Sequence, residues 1–151
     1  MPAHAEVDGT AIETTVQTCL ASATTPEEAR NCTFQGIDIC ASTQAGDAAN
    51  PNQAREWCIR AGLQTWGEIL DNEFRDAVNF AIDLDRPDNP LPDALRSAQA
   101  SWVDFRTAHC RATFLFYELP SLQFVEEAAC NLQMTADRAI TLRAFRDGFT
   151  R

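Results

Sequence analysis

Six cysteines carry the clearest chemistry in this 151-residue sequence. An even number of cysteines in a small domain favours disulfides formed in an oxidising compartment. Zinc is the alternative, but zinc ligands usually come in pairs about two to four residues apart. No two cysteines here are closer than Cys32 and Cys40, and the sequence has no C-x-x-C redox motif. We therefore predict structural disulfides, with no metal and no cofactor, built from Cys19, Cys32, Cys40, Cys58, Cys110 and Cys130.

The other reactive side chains form no catalytic set. One of the two histidines, His109, falls on an apolar helical stripe, where partial burial is a simpler interpretation than catalysis. The adjacent carboxylates Glu126 and Glu127 point to different sides of a helix, as solvated side chains do. The sequence contains no glycine-rich phosphate loop and no nucleophile elbow. It therefore predicts a protein that is not an enzyme.

The charge balance excludes two classes of partner. The chain has 22 acidic side chains and 12 basic ones, all of them arginine, for a net charge of −10. Such a surface repels nucleic-acid phosphates and anionic membranes, and it attracts a cationic partner. The simpler interpretation is that the acidity merely keeps the protein soluble. No run approaches the roughly 20 apolar residues that a membrane span requires.

Helical periodicity is strongest between Leu95 and Phe116. Apolar side chains recur there at steps of three and four, which places them on one stripe of a long helix. We predict that this stripe faces the core. Its members are Leu95, Ala98, Trp102, Phe105, His109, Ala112 and Phe116.

Similar patterns predict the other elements. A short helix is expected over residues 8–23, and a second begins at the Thr25-Pro26 cap and contains Cys32. A polar loop over residues 41–51 leads to a long helix that starts at Asn50-Pro51 and runs to about residue 85. The last helix follows a break at Pro120. No stretch alternates with period two, so the sequence predicts an all-α, disulfide-stapled antiparallel bundle of three long helices plus short N-terminal helices.

The two ends of the chain define the expected domain. We expect residues 1–8 to be disordered and residues 9–151 to form a single helical domain. Ala3-His4-Ala5 has the small-x-small form that precedes signal-peptidase cleavage, which suggests the remnant of a removed export signal. Coincidence in an alanine-rich chain is the alternative.

Antiparallel helices favour one of the fifteen possible disulfide pairings. Cys110 and Cys130 lie ten residues on either side of Pro120, so they reach similar heights on neighbouring helices. The same argument across the preceding turns pairs two further sets. The predicted bridges are Cys19–Cys32, Cys40–Cys58 and Cys110–Cys130.

Polar and aromatic side chains on these helices have two interpretations. Arg106 and Arg138 flank core stripes, where a planar guanidinium often holds a carboxylate; an ion pair or hydrogen bond that stabilises the fold is the expected role. Trp66 and Trp102 lie on helical stripes and are expected in the core. Trp57 lies off its stripe and is the candidate for an exposed binding anchor, although packing over the loop and disulfide is the alternative.

Two segments resemble signatures of the lysozyme inhibitor LprI N-terminal-like family. Residues 98–110 resemble the pattern AQ-x-x-W-x-x-[YF]-R-x-x-x-C, and residues 130–138 resemble C-x-x-x-x-T-x-x-R. The series from Cys58 through Trp66 to Phe74 is similar to one branch of the family, so that the resemblance covers about residues 38–145. The motif residues other than cysteine are Gln99, Trp102, Arg106, Thr135 and Arg138.

The resemblance implies an exported, all-helical protein of the cell envelope, periplasmic or secreted, that inhibits lysozyme, a cationic muramidase. The expected mechanism is occlusion of the enzyme's cleft by a non-catalytic binding module. An envelope structural or assembly protein without lysozyme contact is the alternative. The motif residues are expected to be scaffold. The family often has a glycine-rich segment where this chain has Tyr117 to Ser121, so we place the contact region at residues 117–123, with Tyr117, Glu118 and Trp57 as candidates. The oligomeric state is left open.

Overall fold

The computed structural model describes residues 7–148, and within that range the chain is helical, with no strand. The prediction of an all-α fold is confirmed. The expectations for residues 1–6, including the export-signal remnant, lie outside the described residues. No helix in the described range combines the length and apolar character needed to cross a bilayer. The six helices are α1 (Thr10–Ser22), α2 (Pro26–Arg30), α3 (Ile37–Gln44), α4 (Pro51–Asp83), α5 (Leu91–Phe116) and α6 (Pro120–Asp147).

Side-chain caps start α2 and α4 where the sequence predicts. The Thr25 hydroxyl accepts a hydrogen bond from the Glu28 N–H, and the Asn50 amide oxygen accepts one from the Gln53 N–H. The Glu28 carboxylate bonds to the Thr24 N–H at 2.7 Å, one residue before the capping residue. Two boundaries differ from expectation. Helix α2 ends before Cys32, and α3 continues to residue 44, inside the predicted loop.

The most deeply packed helix is α6, which contacts α4, α5 and α2. Its buried residues lie on several faces, and four of them are alanines that let neighbouring helices approach closely. Trp66 of α4 is fully buried, as predicted, and its indole N–H donates to the Thr33 carbonyl at 3.1 Å. The buried residues of α6 are Val125, Ala128, Leu132, Thr135, Ala136, Ala139, Ile140, Leu142 and Ala144.

The prediction that the apolar stripe of α5 faces the core is wrong for Ala98 and for the stripe residues from Phe105 to Phe116, whereas Trp102 packs against the core, partly buried. Phe105 is 59% exposed and Phe116 is 79% exposed. His109 is also exposed, and its ring stacks on Phe105 with centroids 5.5 Å apart. The flank of α5 that contacts α6 instead carries polar residues that hydrogen-bond across the interface, although the buried Nε of Arg106 has no partner among the described residues. Periodicity identified an apolar stripe, but it could not identify the side on which the neighbouring helix lies.

All three predicted disulfides are confirmed. The Cα atoms of Cys19–Cys32 are 5.7 Å apart, those of Cys40–Cys58 are 5.9 Å apart and those of Cys110–Cys130 are 5.5 Å apart. The bridges link α1 to the turn after α2, α3 to α4, and α5 to α6. Loops of these lengths contribute on the order of 3 kcal/mol each in the chain-entropy model.

A network of ion pairs joins α4 to the C-terminal part of α6. Glu73, nearly buried, lies 3.0 Å from both Arg143 and Arg146. Arg146 also contacts Asp76 at 3.0 Å and Asp147 at 2.8 Å. The hydrogen bond between Arg146 and Asp147 raises the pKa of the guanidinium and lowers the pKa of the carboxyl group. The network neutralises a buried carboxylate that would otherwise destabilise the bundle.

Alanine substitutions at two glycines are expected to change the free energy of unfolding in opposite directions. Gly36 caps α3 with φ of +82°, and an added Cβ would lie 3.4 Å from the Ile12 Cα. Gly36→Ala should therefore lower the free energy of unfolding by about 1–2 kcal/mol. Gly67 lies inside α4 with nothing within 4 Å of an added Cβ, so Gly67→Ala should raise it by about 0.5–1 kcal/mol. Unfolding of the oxidised variants in guanidinium chloride measures both changes in free energy. Two changes of the same sign would contradict this prediction.

Candidate functional site

The two sequence motifs meet across the antiparallel pair α5 and α6. Arg106 of α5 donates through Nη1 to the Thr135 hydroxyl of α6 at 3.0 Å. Arg138 of α6 donates through Nε to the Gln99 amide oxygen of α5 at 2.9 Å. The Cys110–Cys130 disulfide continues the same series. As the residue number rises along α5, the partner's number falls along α6, so each motif supplies the partners of the other. We call these three links the α5–α6 clamp.

Both arginines of the clamp use neutral acceptors. Within the described residues 7–148, neither guanidinium forms an ion pair with a carboxylate. Arg106 also lies over the Trp102 ring, 4.9 Å from its centroid, in a cation–π contact. Burial lowers the pKa of Arg138, but an arginine remains protonated in a folded protein. The arrangement gives the motif residues a structural role between the two helices.

The turn between α5 and α6 is short and tightly held. The Gln123 side-chain amide donates to the Tyr117 carbonyl at 2.7 Å, and the Leu122 N–H donates to the Leu119 carbonyl at 2.9 Å. Glu118 is exposed, whereas Tyr117 is partly buried, with its ring 5.3 Å from the Phe116 ring. Hydrogen bonds therefore hold this turn between two disulfide-linked helices.

Large apolar side chains surround this turn and are open to solvent. Leu115 is 63% exposed, Leu119 is 56% exposed and Phe124 is 45% exposed, next to the still more exposed Phe116. Several exposed apolar side chains near one turn are typical of a surface that binds another molecule. We call this group the tip, and it comprises Leu115, Phe116, Tyr117, Glu118, Leu119 and Phe124.

Sequence reasoning found part of the tip and missed the rest. It selected Tyr117 and Glu118 from the loop, but it assigned Phe116 to the core and did not consider Leu115 or Phe124. The run Phe114-Leu115-Phe116 held the missing signal, since three consecutive residues of a helix cannot all face one neighbour.

Trp57, the third candidate contact, is partly buried on α4. The Asn52 amide donates to the Ser121 hydroxyl at 3.4 Å, which places the first turn of α4 beside the first turn of α6. Trp57 follows Asn52 by five residues on the same helix. The structure therefore brings the N-terminal part of α4, but not an exposed tryptophan, to the neighbourhood of the tip.

The part of the chain that the structure describes contains no cluster of side chains suited to bind a metal ion. There, no group of three or more histidine, cysteine, aspartate or glutamate side chains could hold a metal ion. The features that remain as a candidate functional site are a rigid clamp and an exposed tip, which suit binding to another macromolecule.

Comparison with known proteins adds one finding. The model of the family described as "Lysozyme inhibitor LprI" matches residues 40–142. The matched span contains two of the three disulfides, both arginines of the clamp and the whole tip. No curated protein and no solved structure matches the chain.

The clamp yields a test of stability. Thr135→Val removes the hydroxyl that accepts from Arg106 while keeping the side-chain shape, and should destabilise the protein by about 1–2 kcal/mol because a charged donor loses its partner. Thr107→Val is the matched control. That hydroxyl is exposed and bonds within its own helix, so the change should stay within about 0.5 kcal/mol. Equal losses of unfolding free energy for the two variants, measured by urea unfolding, would contradict the stabilising role of the clamp.

Proposed function

The chain belongs to the lysozyme inhibitor LprI family, and from this membership we propose that it is a non-catalytic protein that inhibits a lysozyme by covering its active-site cleft. The family match over residues 40–142 is the observation that carries the proposal. An inhibitor of this kind requires a rigid surface that keeps its shape on binding, because ordering flexible groups would weaken the complex. Three disulfides and the α5–α6 clamp supply that rigidity.

The location proposed for this activity is outside the cytoplasm. Structural disulfides persist in oxidising compartments and are rare in the cytosol, so the three bridges favour an extracytoplasmic protein. Within that class we propose the periplasm or the extracellular medium, where a lysozyme reaches the cell wall.

The charge of the chain supports a cationic partner. The net charge of −10 would attract a basic muramidase and speed the encounter between the two proteins. Most of the acidic side chains are exposed, so this field extends into solvent. Attraction of this kind is screened by salt, with a Debye length of about 8 Å at physiological ionic strength.

The tip is the contact region that we propose for the enzyme. Its apolar side chains would fill the cleft, and Glu118 would place a carboxylate among basic groups of the enzyme. Tyr117 adds an aromatic ring with a polar end, a type enriched at the energetic centres of interfaces. Trp57 is proposed as a flanking contact, because the first turn of α4 borders the first turn of α6.

The activity itself is tested by the lysis of bacterial cell walls. Turbidity clearing by a cationic lysozyme should be inhibited in a saturable way by near-stoichiometric protein, and the inhibition should weaken as salt rises above about 0.15 M. Bovine serum albumin at equal concentration controls for non-specific acidic protein. No inhibition at a large molar excess, at any salt concentration, would reject the proposal and favour a structural or assembly role in the envelope.

The contact region is tested with substitutions at the tip. Tyr117→Ala and Glu118→Gln should each raise the concentration for half-inhibition by about tenfold, since each removes a proposed anchor. Glu27→Gln is the matched control, because Glu27 is an exposed glutamate on α2. Full inhibition by both tip variants, with unchanged circular dichroism, would move the contact away from the tip while leaving the inhibitory function in place.

A further inference from the structure

The outer face of α5 is a long exposed surface without charge. It spans residues 94–116, a rise of about 33 Å along the helix. All nine of its residues are exposed, and none is acidic or an arginine, although charged residues make up 23% of the chain. Helix α6 packs on the adjacent flank through the clamp and leaves this face uncovered. The face consists of Ala94, Ala98, Ser101, Phe105, Ala108, His109, Ala112, Leu115 and Phe116.

The seam along this face has the repeat of a coiled coil. The stripe from Ala98 to Phe116 advances by four, three, four, three and four residues, the spacing of the a and d positions of a heptad. Such a seam is typical of packing against a second helix, since each side chain on it fits between those of the facing helix. Trp102 packs against the core of its own chain, whereas the other five seam residues are exposed in the structure of residues 7–148.

A second copy of the same helix complements this seam. With two copies of α5 antiparallel about an axis near residue 107, Phe116 faces Ala98 and Phe105 faces His109. The first pair matches a large side chain with a small one. The second joins two flat rings of a kind that already stack within one chain, 5.5 Å apart. A two-fold interface requires each contact to occur twice, which this register satisfies.

The charges at the rim of the face agree with the same register. Asp104 and Arg111 have opposite charges and lie seven residues apart, next to the uncharged face. In the antiparallel register, Asp104 of one copy and Arg111 of the other lie on the same side of the helix pair, at heptad position c, outside the e and g positions where interhelical ion pairs form. Their opposite charges offset part of the repulsion between two chains of net charge −10.

The area of the face is compatible with a modest dimer. Phe105 is 59% exposed and Phe116 is 79% exposed, so the four rings of two copies would bury roughly 400–700 Å². The alanines, His109 and Leu115 bring the total towards the lower end of the roughly 1,200–2,000 Å² of stable interfaces.

We infer that the outer face of α5 is a homodimer interface in which two copies of α5 pack antiparallel. A cationic enzyme is a poorer occupant, because the face offers it no carboxylate. The inference does not rest on lysozyme inhibition, although the outer face and the tip share Leu115 and Phe116, and it has the opposite dependence on salt. Salt screens the repulsion between two anionic chains and so favours the dimer, whereas it weakens attraction to a basic enzyme.

The oligomeric state tests the interface directly. Sedimentation velocity of the oxidised protein should give a concentration-dependent monomer–dimer equilibrium that shifts towards the dimer as salt rises. Ala112→Glu should weaken the dimer at least tenfold, because it places an unpaired carboxylate in the seam. Ala100→Glu makes the same change at an exposed position of α5 outside the face and should leave the dimer unchanged. A protein that stays monomeric at every concentration and salt level, or equal effects of the two variants, would overturn the inference.

Charge exchange tests the register. Phe116→Glu and Ala98→Arg should each weaken the homodimer. A mixture of the two variants should form a heterodimer at least tenfold tighter than the Phe116→Glu homodimer, because the introduced carboxylate then faces the introduced guanidinium. Circular dichroism of each variant confirms the helical fold. A mixture no tighter than the separate variants would overturn the antiparallel register.

Discussion

The clamp between α5 and α6 is the constraint on which the rest of the structure depends. Arg106 and Arg138 each reach across to a neutral acceptor on the other helix, and the Cys110–Cys130 bridge completes the series. A partly buried guanidinium without any hydrogen bond would destabilise the fold, and each of these two makes one bond across the interface. The clamp therefore determines which flank of α5 faces α6, and at what register.

That choice of flank leaves two apolar surfaces in solvent. The outer face of α5 is exposed because the clamp, rather than the apolar stripe, lies against α6. The tip is exposed at the turn that joins the two helices. The tip and the outer face share Leu115 and Phe116, so the proposed dimer would cover two apolar side chains that the proposed enzyme contact also uses.

Together these features describe a rigid, acidic, extracytoplasmic scaffold. Disulfides hold α1, α3 and α5 to their neighbours, so the short N-terminal helices are attached covalently as well as through the core that they share with α4 and α6. The family match lies over α4, α5 and most of α6, the part that carries the clamp and the tip. The proposed inhibitor thus acts through a surface whose shape is set before binding.

The amino-acid sequence by itself determined the all-helical class, the caps at Thr25 and Asn50, and the three disulfide pairings, because these depend on local spacing and on the order of turns. Only the tertiary structure decided which side of α5 is covered. The apolar stripe through Phe105 and the polar flank through Arg106 both have helical periodicity. Hydrogen bonds from α6 select the polar flank, and these join residues about 29–39 positions apart, beyond the reach of any local pattern.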